Sequence, residues 1–234
     1  MADVGYLHRE EHLRSSDFIS DIVIGMSDGL TVPFALAAGL SGAVASSGLV
    51  VTAGIAEVVA GSIAMGLGGY LAGRTEADHY DSERRRELAE VESVPDKEKE
   101  EVREVFADMG LSPELQTAIA NELAKDKTKW VDFMMKYELG LDEPDPRRAT
   151  KSALTIGLSY VVGGLIPLSP YFLVNDPHRA LLYSSGITLI CLFLFGYFKA
   201  KVTGQPPVGG AFKVMLIGAM AAAAAFGVAR LFGA

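Results

Sequence analysis

The chain has 234 residues, half of them hydrophobic, with a formal net charge of −8 and a mean hydropathy of +0.26. An acidic, apolar chain of this kind argues against nucleic acid as a partner, and its single cysteine, Cys191, excludes an intrachain disulfide. The charge is segregated: residues 76–145 hold 21 acids against 10 bases, a local net charge of −11, whereas the rest of the chain holds 8 acids against 11 bases. That pattern predicts an apolar part joined to a soluble acidic part.

The first eighteen residues, MADVGYLHREEHLRSSDF, mix both signs of charge. They lack the basic stretch, apolar run and cleavage site of a signal peptide, and none is expected. His8 and His12 share a helical face ahead of the first apolar run and read as solvated or interfacial side chains, as do His79 and His178. Five apolar runs then approach or exceed the roughly 20 residues that a membrane-crossing helix needs. They are 22–45, 49–73, 152–174, 180–198 and 211–233, and only the connection 74–151 is long. Arg9, Arg14, Arg74, Arg84, Arg85, Arg86, Arg147, Arg148, Lys151, Lys199 and Lys201 fall on one side of these spans, with only Arg179 and Arg230 opposite. The positive-inside rule therefore puts the N-terminus and the long connection in the cytosol and the C-terminus across the membrane. Gly25 with Gly29, and Gly69 with Gly73, are small-residue pairs suited to close helix packing or dimerisation. Pro33, Pro167 and Pro170 lie within spans and predict kinks or breaks.

The long connection reads as three helices: 74–92 continuing span two, 95–110 opened by Pro95, and 112–139 opened by Ser112-Pro113. No strand pattern occurs. The fold class expected is all-α: five transmembrane helices with a three-helix cytosolic insert between spans two and three. The corresponding divisions are 1–73, 74–148 and 149–234.

Two acids, Asp28 and Glu57, lie deep within spans. An ionised carboxylate in hydrocarbon costs several kcal/mol, so intramembrane acids mark ion or proton routes. Asp28 sits in MSDGLTVPF, with Gly29 beside it and Pro33 five residues on, where a loosened backbone could help hold an ion. Met65 follows Glu57 by eight residues, about two turns, so the two can flank one pathway at different depths.

The insert repeats an i, i+3 spacing of carboxylates, Glu87 with Glu90 and Glu98 with Glu101, while Met134 and Met135 precede Glu138 by four and three residues. Each set lies on one helical face. A bundle of the three helices could aim five carboxylates and two thioethers at one place, a mixture suited to first-row divalent transition metals more than to calcium or magnesium. Solvated acidic faces and ordinary packing of Met134 and Met135 against Leu123, Trp130 and Phe133 satisfy the same pattern.

The segments SDGLTVPFALAAGL and EVVAGSIAMGLGGYLAGRTEADHY, followed by the acidic insert and three further spans, resemble the vacuolar iron transporter family, in its plant form, over nearly the whole chain. The resemblance implies a homodimer in the vacuolar membrane that exports Fe2+ from cytosol to vacuole in exchange for protons. It implies no prosthetic group, with Fe2+ as substrate and bound metal and Mn2+, Co2+ or Zn2+ as related ions. Matched position by position, it assigns Asp28, Glu57 and Met65 to the ion pathway, and Glu87, Glu90, Glu98, Glu101, Met134, Met135 and Glu138 to a cytosolic metal site. Two other classes compete with a transporter. An iron oxidase of the carboxylate-bundle type is disfavoured because that site takes a Glu-x-x-His pair from each of two helices and the chain has a single such pair, Glu76 with His79, and a divalent-cation channel would need no proton gradient.

Overall fold

The computed structural model of the chain describes residues 17–43 and 46–232; Arg9, Arg14, His8 and His12 lie outside them. The described residues form α1 (Asp17–Ala43), α2 (Ser47–Ser93), α3 (Pro95–Asp108), α4 (Pro113–Leu123), α5 (Lys127–Phe133), a π-helical turn (Met134–Glu138), α6 (Arg148–Leu173), α7 (Pro177–Val202) and α8 (Pro207–Phe232), with no strand among them. Helices α1, α2, α6, α7 and α8 are each long and apolar enough to cross a membrane. The chain divides into an apolar unit, Met1–Tyr70 with Thr150–Ala234, and an acidic unit, Leu71–Ala149. Helix α2 contributes its first half to the one and its second half to the other.

Small residues draw the apolar unit together. A Cβ on Gly25 would strike the Ile156 carbonyl, and one on Gly29 would strike the Tyr160 carbonyl, so the backbones of α1 and α6 approach to a distance only glycine permits. The small pair at Gly25 and Gly29 is thus occupied within the chain. Leu168 and Tyr171 of α6 pack with Ala37 of α1, Val50 and Val58 of α2, and Ala180 of α7. Helix α8 packs along α1 and α7. Outward-facing side chains such as Ile63, Leu158 and Leu182 stay exposed in the isolated chain, as lipid-facing residues should.

Proline does not interrupt these helices. Helix α1 runs through Pro33 and α6 through both Pro167 and Pro170. Pro170 lacks the N–H that would bond the Ile166 carbonyl, and the Ser169 hydroxyl donates to that oxygen instead, at 2.8 Å.

The acidic unit packs on a core of Val91, Val102, Ala120, Trp130, Val131, Met134 and Met135. Its first two helices follow the sequence reading closely. The third expected helix, 112–139, is instead divided. The Asp126 carboxylate accepts from the amides of Thr128 (3.1 Å) and Lys129 (3.3 Å), which caps a new helix after a turn at 124–126. The chain then widens to a π turn, in which the Leu139 amide reaches back five residues to the Met134 carbonyl at 3.0 Å.

Candidate functional site

In the apolar unit, α1 supplies Asp28 and α2 supplies Glu57 and Met65, all three half-buried. A side chain that the sequence reading passed over joins them. The hydroxyl of Tyr160, on α6, donates to Glu57 Oε1 and lies close enough to Asp28 to interact with it electrostatically. Tyr160 is itself 2% exposed. Its ring has room because Gly61, one turn after Glu57 on α2, carries no side chain: a Cβ there would sit 2.5 Å from the ring carbon that bears the hydroxyl. The other oxygen of Glu57 is enclosed and has no hydrogen-bond partner, and Asp28 forms no hydrogen bond or ion pair among the described residues. Unsatisfied polar groups in an apolar interior are costly, so the enclosed oxygen of Glu57 has capacity for a further partner, chemically a proton or a cation. Met65 lies about 12 Å further along α2 by helical rise, and the structure records no contact between it and either acid.

The acidic unit gathers carboxylates from two helices. Glu87 and Glu90 on α2 and Glu98 on α3 each offer an oxygen within 4.8 Å of the others. Glu87 and Glu98 are buried, and both Glu98 oxygens are enclosed without a partner. Burial pushes the Glu98 carboxyl up to about 7, with the charges of Glu101, Glu87 and Glu90 adding to the effect. Glu138, at the end of the π turn, is exposed over much of its length. Its carboxyl is nevertheless pushed up to about 7, by desolvation first and then by the charges of Glu101 and Glu87. Glu87 shifts upward for the same reasons, burial leading and Glu90 following, with Arg86 opposing. Burial and the neighbouring negative charges thus make Glu87, Glu98 and Glu138 easier to protonate, and the convergence of Glu87, Glu90 and Glu98 is an arrangement that can receive a divalent cation.

Two basic side chains also enter this cluster. Arg86 reaches Glu83 at 2.8 Å, Glu87 at 3.4 Å and Glu90 at 3.6 Å, and Lys97 reaches Glu101 at 2.8 Å. The i, i+4 and i, i+1 spacing of Arg86 to Glu90 and Glu87 was present in the sequence, but the run Arg84–Arg86 draws notice first as an orientation signal. Met134 and Met135 are buried in the hydrophobic core, and the π turn that carries them packs on α3, the helix of Glu98 and Glu101. Their packing role is therefore present.

Five apolar helices, two of them carrying acids, and an acidic helical unit define a polytopic α-helical membrane protein with a carboxylate-rich appendage. The chain belongs to the VIT family, whose model matches residues 19–230. It is similar to "Vacuolar iron transporter 1" of Tulipa gesneriana, 53% identical over 95% of this chain and 90% of that protein. It is equally similar to the protein of the same name from Arabidopsis thaliana, 53% identical over 96% and 90%. "Protein CCC1" of Saccharomyces cerevisiae is 39% identical over 92% of this chain and 69% of its own length.

Proposed function

We propose that this protein carries Fe2+ from the cytosol into the vacuole in exchange for protons, as a homodimer in the vacuolar membrane with the N-terminus and acidic unit cytosolic. The observation that carries the reading is Glu57. It is a carboxylate inside an apolar helix, bonded to Tyr160 through one oxygen and open to a further partner through the other, with Asp28 nearby. The names of the relatives, vacuolar iron transporters in plants, supply the cargo and the compartment.

The acidic unit, with a local charge of −11, raises the concentration of cations near it, an effect that salt weakens. Glu87, Glu90, Glu98, Glu101 and Glu138 hold the ion, and Met134 and Met135 add soft character. Metal displaces protons from carboxylates whose pKa values are raised toward 7, so loading is efficient at neutral pH and fails on acidification. In the membrane, Asp28 and Glu57 alternate between metal and protons, with Met65 as a further ligand along the path. An acidic lumen protonates the pair and releases the metal; a neutral cytosol restores the carboxylates. Exchange follows when the site opens to one side at a time.

The test is Fe2+ uptake into proteoliposomes with a pH dye inside. Uptake should be accompanied by proton counterflow, and Asp28→Ala or Glu57→Ala should abolish both. Metal flux of full size without proton movement would replace the exchanger by a channel. Oxygen consumption with Fe3+ as product would replace it by an oxidase.

A further inference from the structure

The turn between α7 and α8 holds a second polar feature that metal transport does not use. Residues 177–234 contain no Asp or Glu at all, yet Lys199, Lys201 and Lys213 fall around this one turn. Lys199 and Lys213 line a cleft of about 330 Å3 together with Gln205 and Gly209, and neither lysine has an acidic partner among the described residues.

The cleft is held in shape by its backbone. Helix α7 closes with the Gln205 amide bonded to the Ala200 carbonyl at 2.8 Å and the Gly204 amide to the Lys201 carbonyl at 3.4 Å. Gly204 sits at φ +69°, the left-handed conformation that this helix ending demands. Pro206 and Pro207 follow at once and open α8. Below the turn, a Cβ on Gly210 would collide with Ala200, so α7 and α8 touch through small residues. Gly209, in the first turn of α8, also lines the cleft, and the amides of that turn are among those a helix N-terminus leaves without a partner inside the helix. Phe198 and Phe212, each adjacent to one of the lysines, are exposed on helices otherwise suited to lipid.

We propose that this cleft binds the phosphate-bearing head group of an anionic lipid in the cytosolic leaflet. Two lysines without an acidic partner and the N-terminal turn of α8 line this one cleft, and in the orientation proposed above, on which this inference rests, it is a basic pocket between membrane helices at their cytosolic ends, where such head groups dock. The neighbouring apolar helix surfaces receive the acyl chains. Free inorganic phosphate would satisfy the lysines and leave those surfaces unused.

The test uses the full-length protein in neutral detergent, titrated with short-chain phosphatidylinositol monophosphate, short-chain phosphatidylcholine and inorganic phosphate, with binding read by thermophoresis. Wild type should bind the inositol lipid saturably. The double variant Lys199→Gln/Lys213→Gln should bind it at least tenfold more weakly, while Lys199→Arg/Lys213→Arg and Lys201→Gln retain it. Correct folding of each variant is read from an unchanged melting temperature of the apolar unit, followed by its helical circular dichroism, and unchanged elution in size-exclusion chromatography. No binding by wild type, equal binding by the glutamine pair, or an equal loss in Lys201→Gln would overturn the site. Inorganic phosphate binding as tightly as the lipid would overturn the assignment to a head group.

Discussion

Replacing Glu98 by glutamine separates the charge of the acidic cluster from its shape. The wild-type carboxyl is fully enclosed, its oxygens accept no hydrogen bond, and its pKa is raised from 4.5 to about 7. A folded-state pKa above the unfolded value means that the fold holds more protons than the unfolded chain between those limits. The contribution of Glu98 is therefore most favourable below about pH 4.5 and is lost as pH rises through about 7. At about 1.36 kcal/mol per pKa unit the whole gap is worth about 3 kcal/mol. Because neighbouring carboxylates share the titration and relax together, about 1–2 kcal/mol is the expected effect. Glu98→Gln cannot ionise, so without metal it should be more stable than wild type by about that amount at pH 8, with the difference fading toward pH 5.

Divalent metal should reverse the order. A ligand at 100 times its dissociation constant stabilises the wild type by about 2.7 kcal/mol, and the variant lacks one ligating oxygen. The single tryptophan, Trp130, lies buried in the same core as Met134 and Met135, so its emission during urea unfolding reports this unit within the full-length protein. Zn2+ is a suitable redox-inert probe beside a chelator control. A gap between variant and wild type that does not change with pH, or a wild type more stable than the variant at pH 8 in chelator, would refute the account of Glu98.

Three further outcomes follow from the packing. Tyr160→Phe removes the hydrogen bond to Glu57; at about 1.5 kcal/mol for a bond to a charged group, transport in proteoliposomes should fall about tenfold while the unfolding monitored by Trp130 stays unchanged. Gly29→Leu forces a side chain into the Tyr160 backbone, an overpacking that costs roughly 1–3 kcal/mol or more, and should lower the melting temperature of the apolar unit and the yield of folded protein. Asp126→Ala removes the cap on α5 and should destabilise the acidic unit by about 1 kcal/mol, visible as a lower urea midpoint in Trp130 emission with transport-site mutants unaffected.

Much of the architecture was legible in the sequence because lipid imposes a one-dimensional rule. A crossing helix must be apolar over a fixed length, so 22–45, 49–73, 152–174, 180–198 and 211–233 could be read directly, and each falls largely within one of the five long helices. The acids that break the rule, Asp28 and Glu57, stand out for the same reason. Repeated i, i+3 spacing likewise marked Glu87, Glu90 and Glu98, because a helix fixes which of its own residues share a face. What spacing cannot encode is the partner supplied by a distant segment. Tyr160 lies 103 positions from Glu57, and only the glycine-mediated approach of α6 to α1, together with the space left by Gly61 on α2, brings its hydroxyl to that carboxylate. The division of the third insert helix, the π turn before Glu138, the burial of both Glu98 oxygens and the entry of Arg86 among the carboxylates are decisions of the same kind. Each depends on competition between local capping and the packing of a shared core, and that competition is settled only when the helices meet.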